Sequence, residues 1–124
     1  MAALSHFEYA EPMITVYGIP NCDSVKKARV WLAENGHDYQ FHDFKKQGVP
    51  ESALDAWLAA LGWEVLLNKQ GTTWKKLPDE VKASVQDATS AKAVLLAHSS
   101  CIKRPVIDWG DGRITAGFKP EHWD

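Results

Sequence analysis

The sequence predicts a single α/β domain, and three observations carry the prediction. A short apolar run passes through a Gly-Ile-Pro-Asn turn into an amphipathic stretch and then a second apolar run. The middle of the chain has helical periodicity for almost fifty residues. Near the end, two apolar runs flank Gly110-Asp111-Gly112. Period-2 segments around a period-3.6 segment read as a β-α-β unit, and a Gly-Asp-Gly turn between apolar runs reads as a β-hairpin.

Regular patterning begins at Met13, so residues 1–12 are expected to form an extension before the domain of residues 13–124, and Met13 is a possible alternative start. The first strand is expected over Met13 to Tyr17. Asn21 is expected in the following turn or as a helix N-cap. The helix beginning near Cys22 places Val25, Ala28 and Leu32 on one stripe with Lys26, Lys27 and Arg29 outside, and Asn35-Gly36 ends it. Tyr39, Phe41 and Phe44 suggest a second strand, followed by a loop from Lys45 to Val49 that ends at Pro50. A short strand after a short crossover helix implies parallel pairing.

The helical insertion is expected over about residues 50–100. Leu54, Trp57, Leu58 and Leu61 recur at helical spacing before Gly62; Val81 and Val85 follow Pro78; Ala91, Val94 and Leu95 follow a start near Thr89. The hairpin strands are expected over Pro105 to Trp109 and Arg113 to Phe118. Little chain remains after Pro120, so the last element is expected to be a turn or a fragment.

A chain of 124 residues suits one domain with a real core. Its 14 basic and 16 acidic side chains give a formal charge of −2, so no global attraction to nucleic acid or to an anionic membrane is expected and any anion site must be local. No apolar run approaches the roughly 20 residues of a membrane helix, and no basic segment leads into an apolar one at the N-terminus. A cytoplasmic protein is expected. The five histidines lack metal-ligand spacing, and no metal is assigned.

Cys22 is the most informative residue. It lies where a strand meets a helix, and unpaired N–H groups together with the positive end of the helix dipole favour a thiolate there. Ser24 is a possible hydrogen-bond partner of that thiolate, whereas Asp23 opposes its formation. Lys103-Arg104-Pro105 precedes the third strand and Lys119-Pro120 follows the fourth, so cations fall at two strand ends. Arginine binds oxyanions as a planar fork and lysine as a point charge. Each is also a common solvated surface residue, and spacing alone does not bring them to Cys22.

The segments Tyr17-Gly18-Ile19-Pro20-Asn21-Cys22, Leu66-Leu67-Asn68-Lys69 ahead of Trp74-Lys75-Lys76-Leu77, Lys103-Arg104-Pro105 and Gly117-Phe118-Lys119-Pro120 together resemble the arsenate reductase and Spx (ArsC-like) family. The chain looks most like its YffB-like branch of thiol reductases. The resemblance implies a thioredoxin-like mixed sheet with a helical insertion. It also implies Cys22 as nucleophile, Arg104 steadying the thiolate and its substrate ahead of a cis Pro105, and an anion pocket to which Lys119, Asn68, Lys69, Asn21 and Ser24 contribute.

Two departures narrow the expected activity. Arsenate reductases proper carry an arginine in the segment aligned with Asn68-Lys69-Gln70 and another where this chain has Lys119, and losing bidentate donors argues against arsenate as the substrate. Spx regulators commonly carry C-x-x-C at the helix start, where this chain reads Cys22-Asp23-Ser24-Val25. The intramolecular switch is therefore absent. Cys101 is read as a partly buried, space-filling thiol rather than a resolving one. That leaves glutathione as the expected co-substrate, with no permanently bound cofactor. The expected partners are glutathione and a small oxidised or oxyanionic substrate, or a protein thiol. The alternative is an Spx-like regulator that binds RNA polymerase without turnover.

Overall fold

The structure, a computed structural model, describes residues 13–123. The expected N-terminal extension, residues 1–12, lies outside the described residues. Strand β1 (Ile14–Gly18) leads to helix α1 (Asp23–Glu34) and strand β2 (Tyr39–Asp43), and β1 and β2 pair in parallel from Ile14 with Tyr39 to Gly18 with Asp43. Five helices follow: α2 (Phe44–Gln47), α3 (Glu51–Leu61), α4 (Trp63–Leu66), α5 (Thr72–Lys76) and α6 (Asp79–Ala83). Helix α7 (Ala88–Ala97) and a 3-10 turn (Ser99–Cys101) close the insertion before the hairpin of β3 (Val106–Asp108) and β4 (Ile114–Ala116). The sheet order is β2-β1-β3-β4, with β3 antiparallel to both neighbours. The expected mixed sheet with its helical insertion is thus observed.

Alternation along the strands builds a core on each face. Ile14 and Val16 of β1 and Ile107 of β3 pack with Ala28 and Leu32 of α1, and with Trp109 and Trp123. On the opposite face Val106 packs with Leu54 and Trp57 of α3, Leu66 of α4, Val94 and Leu95 of α7, Cys101 and Ile102. Each fully buried large aliphatic side chain contributes about 1.5–3 kcal/mol relative to exposure, so α1 and the insertion both clamp the sheet.

Local chemistry explains where the elements differ from the sequence reading. The second strand stops at Asp43 and the expected loop after it opens with α2, because Asp43 caps that turn: its carboxylate accepts the Lys45 N–H at 2.9 Å. The last helix of the insertion starts slightly earlier than Thr89, at Ala88, with a reciprocal cap in which Asp87 Oδ1 accepts the Ser90 N–H and Ser90 Oγ accepts the Asp87 N–H. Val85 falls outside α6, which ends at Ala83. The hairpin strands are shorter than expected because the Asp108 and Asp111 carboxylates bond the Gly110 and Arg113 N–H groups and shape a wider turn.

Among the described residues, the segment after β4 forms a single 3-10 turn (Pro120–His122), in keeping with the expected turn. One residue beyond it carries the packing. Trp123 is 3% exposed and meets Trp31, Trp109 and Phe118 edge to face, with ring centroids 5.1–5.4 Å apart. Its carbonyl also accepts a hydrogen bond from Arg113 Nη1 at 3.2 Å.

Candidate active site

Cys22, rather than Asn21, is the N-cap of α1. Its backbone is extended at φ −144° and ψ 124°, and its carbonyl accepts the first intrahelical bond, from the Lys26 N–H at 2.9 Å. The N–H groups of Asp23, Ser24 and Val25 precede that bond and have no partner within the helix. A capping side chain ordinarily offers an oxygen to such groups. Here the side chain in that place is a half-exposed thiol that makes no capping hydrogen bond. A thiolate at this position meets unpaired donors and the positive end of a three-turn helix. Asp23, exposed in the same first turn, is the one acidic group there.

The approach of β1 to α1 fixes the thiol. A Cβ on Gly18 would fall 2.7 Å from Cγ2 of Val25, which is fully buried and has nowhere to move. Glycine at the strand end therefore lets the helix start press against the sheet.

Cys22 opens into a cleft of about 420 Å³, lined also by Ser24, Asn68, Lys103, Arg104, Gly117, Phe118 and Lys119. Three segments meet there. The α1 start brings Cys22 and Ser24, and the chain after α4 brings Asn68, held by its N–H bond to the Cys101 carbonyl at 2.8 Å. The third is the pair of chain ends flanking the hairpin. The Arg104–Pro105 peptide bond is cis, Pro105 is fully buried, and its carbonyl accepts the Gly117 N–H at 2.9 Å.

The sequence-derived residues divide accordingly. Cys22, Ser24, Asn68, Arg104 and Lys119 line the cleft together. Pro105 and Asn21 do not line it: Pro105 lies beneath in the core, and Asn21 is exposed in the preceding turn. Lys69 is also absent from the lining. Its ammonium sits 5.7 Å from the ring centroids of both Trp63 and Trp74, where two aromatic faces attract the cation. Lys103 is the lining cation that residue-by-residue reasoning passed over. The signal was present, since Lys103 adjoins Arg104 before the third strand, but adjacent residues in an extended segment normally face opposite ways.

Cys101 is fully rather than partly buried, among Leu66, Ile102 and Val106. Burial pushes its thiol above the ordinary value of 9.0, and the nearby Arg104 charge offsets part of that rise. It is a protonated, space-filling group. A group that ionises more readily in the unfolded chain stabilises the fold fully below its unfolded value, and that contribution fades as pH rises toward the folded value. Stability is therefore expected to fall as pH rises past about 9.0. Urea midpoints measured from pH 7 to 10 should drop less steeply for Cys101→Ala than for the unsubstituted chain; parallel curves would exclude Cys101 as the source.

Residues 17–124 match the ArsC family. The chain belongs to the ArsC family. Among solved structures, it is similar to the YffB protein at 44% identity and a TM-score of 0.83, covering 89% of this chain and 95% of that one. It is also similar to an arsenate reductase (ArsC) related protein from Brucella melitensis at 50% identity and a TM-score of 0.70, covering 90% and 91%. The global transcriptional regulator Spx of Streptococcus pyogenes is 26% identical over 112 residues, 88% of this chain and 81% of the regulator. ArsC membership places the thioredoxin-like fold of arsenate reductases around the Cys22 cleft. Among the described residues no helix is long and apolar enough to cross a membrane.

Proposed function

We propose that this ArsC-family chain is a cytoplasmic, glutathione-dependent thiol reductase with one nucleophilic cysteine. The observation that carries the reading is Cys22 at the N-cap of α1, opening into a cleft whose charged lining residues are all cations. Cys22 loses its proton to solvent and its thiolate attacks one sulfur of an oxidised substrate, such as a mixed disulfide between a protein or small thiol and glutathione. The S–S bond breaks, the leaving thiolate takes the electron pair, and Cys22 becomes disulfide-linked to glutathione. A glutathione thiolate then attacks that adduct, releasing oxidised glutathione and regenerating Cys22. Arg104 and Lys119 hold the carboxylates of glutathione and the negative charge shared among the sulfurs, with Asn68 and Ser24 as neutral hydrogen-bonding groups.

A resolving thiol from outside the chain suits the burial of Cys101. Intact mass spectrometry after exposure to oxidised glutathione tests the scheme: one glutathione adduct is expected on the unsubstituted protein and on Cys101→Ser, and none on Cys22→Ser. Loss of two hydrogens in a Cys22–Cys101 disulfide would replace it with an internal resolving thiol.

The similarity to Spx supports a second reading, a regulator that binds RNA polymerase without turnover. The position at which a C-x-x-C pair would place its second thiol is Val25, which is fully buried, so any such regulation would lack a vicinal-thiol switch. Stoichiometric capture of polymerase subunits by a protein whose Cys22 does not react with glutathione disulfide would put this reading first.

A further inference from the structure

We infer that the Cys22 cleft selects sulfur compounds carrying two or more negative charges, and that Lys103 is the residue that sets this selectivity. The inference rests on the thiol-reductase reading above and adds the charge class of the substrate. Lys103, Arg104 and Lys119 all line the cleft, and no carboxylate does. The ion pairs among the described residues are those of Lys82, Lys92 and Arg113, so none of the three cleft cations is neutralised in that way. One thiolate or one substrate carboxylate balances only one of them. The site is complementary to a ligand that brings a carboxylate on each side of the reacting sulfurs.

Lys103 is built into this position. Its N–H bonds the Leu66 carbonyl at 2.8 Å beside the Leu67–Ile102 bridge, which ties it to the same short ladder that carries Asn68 into the cleft. On its other side Gly117 has φ +85°, a conformation that favours glycine, and a Cβ there would lie 3.0 Å from Lys103 Cε. The backbone of Gly117 thus leaves room for the lysine stem at the cleft wall. Arg104 and Lys119 suffice for a singly charged ligand; the third cation distinguishes a multiply charged one.

The chemistry selected is thiol–disulfide exchange. The Cys22 thiolate attacks one sulfur of R–S–S–R, a Cys22–S–S–R bond forms as the S–S bond breaks, and RS⁻ leaves with the electron pair. The disulfide itself is the oxidant.

Stopped-flow kinetics with three disulfides test this: oxidised glutathione, with two carboxylates on each half; neutral 2-hydroxyethyl disulfide; and dicationic cystamine. Each rate is divided by that of 2-mercaptoethanol with the same disulfide, which removes differences in intrinsic leaving ability. The normalised rates are expected to fall in the order glutathione, neutral, cystamine, with the first exceeding the last by about tenfold or more at low salt and converging at about 1 M salt. Lys103→Met keeps the stem against Gly117 and removes the charge. It should slow the reaction with glutathione disulfide more than that with the neutral disulfide, lowering the glutathione-to-neutral ratio about three- to tenfold, and Lys103→Arg should restore the ratio. Equal losses with all three disulfides, or an unchanged ratio, would overturn the role of Lys103. Equal normalised rates for the unsubstituted protein would overturn the charge selectivity alone. No reaction of Cys22 with any of the three would remove the reductase reading itself.

Discussion

Cys22→Ser is expected to reduce glutathione-dependent turnover to the rate of uncatalysed exchange while leaving the fold intact. A serine hydroxyl stays protonated at neutral pH, so the variant loses the attacking species rather than a fraction of its reactivity. The fold should survive because the Cys22 side chain is half-exposed and makes no capping hydrogen bond; serine, a preferred N-cap residue, fits the same backbone. The measurement is kcat/KM for reduction of a glutathione mixed disulfide, with urea midpoints recorded in parallel. Arg104→Ala separates the thiol from its surroundings. Removing one charged donor from a partly solvated cleft should lower kcat/KM about tenfold, and Arg104→Lys should recover only part of it because a point charge replaces a fork. Cys101→Ser should do the reverse of Cys22→Ser. It leaves turnover in place but sets a hydroxyl in the apolar core beside Leu66 and Val106, at a cost of about 1–3 kcal/mol of stability. Activity that survives Cys22→Ser but not Cys101→Ser would exchange the two assignments.

The architecture was legible where periodicity and turn chemistry coincide. Val25, Ala28 and Leu32 lie on the buried stripe of α1, Gly110-Asp111-Gly112 joins β3 to β4, and Leu54 and Trp57 bury the inner face of α3. Short helices were less legible. Helices α2, α4 and α5 have four or five residues each, too few to display a period, and α2 depends on the side-chain cap of Asp43. The candidate site was legible as a set of residue types but not as a set of neighbours. Lys69 and Lys103 look alike in sequence, each beside a residue that enters the cleft. Two tryptophans from α4 and α5 draw Lys69 aside, whereas the space above Gly117 admits Lys103. Both outcomes depend on residues remote along the chain, which only the folded packing brings together.

Trp123→Ala is expected to destabilise the protein by about 3–5 kcal/mol, the usual cost of truncating a buried tryptophan. The size follows from the packing of the residue: among the described residues a single 3-10 turn follows β4, and the buried Trp123 indole packs on the α1 face of the sheet against Trp31, Trp109 and Phe118. Such a loss is a large share of the roughly 5–15 kcal/mol that holds a typical domain together. Trp123→Phe retains an apolar ring and should lose appreciably less. Truncation should also reach the chemistry, because Phe118 packs on Trp123 and also lines the Cys22 cleft. Under conditions where Trp123→Ala remains folded, KM for a glutathione disulfide should rise more than kcat falls, as a loosened cleft wall weakens binding without removing the nucleophile. Urea denaturation followed by tryptophan fluorescence measures the first effect, and steady-state kinetics the second. A stability loss under about 1 kcal/mol would mean that neighbouring side chains collapse into the space and that the tail contributes little to holding the sheet face closed.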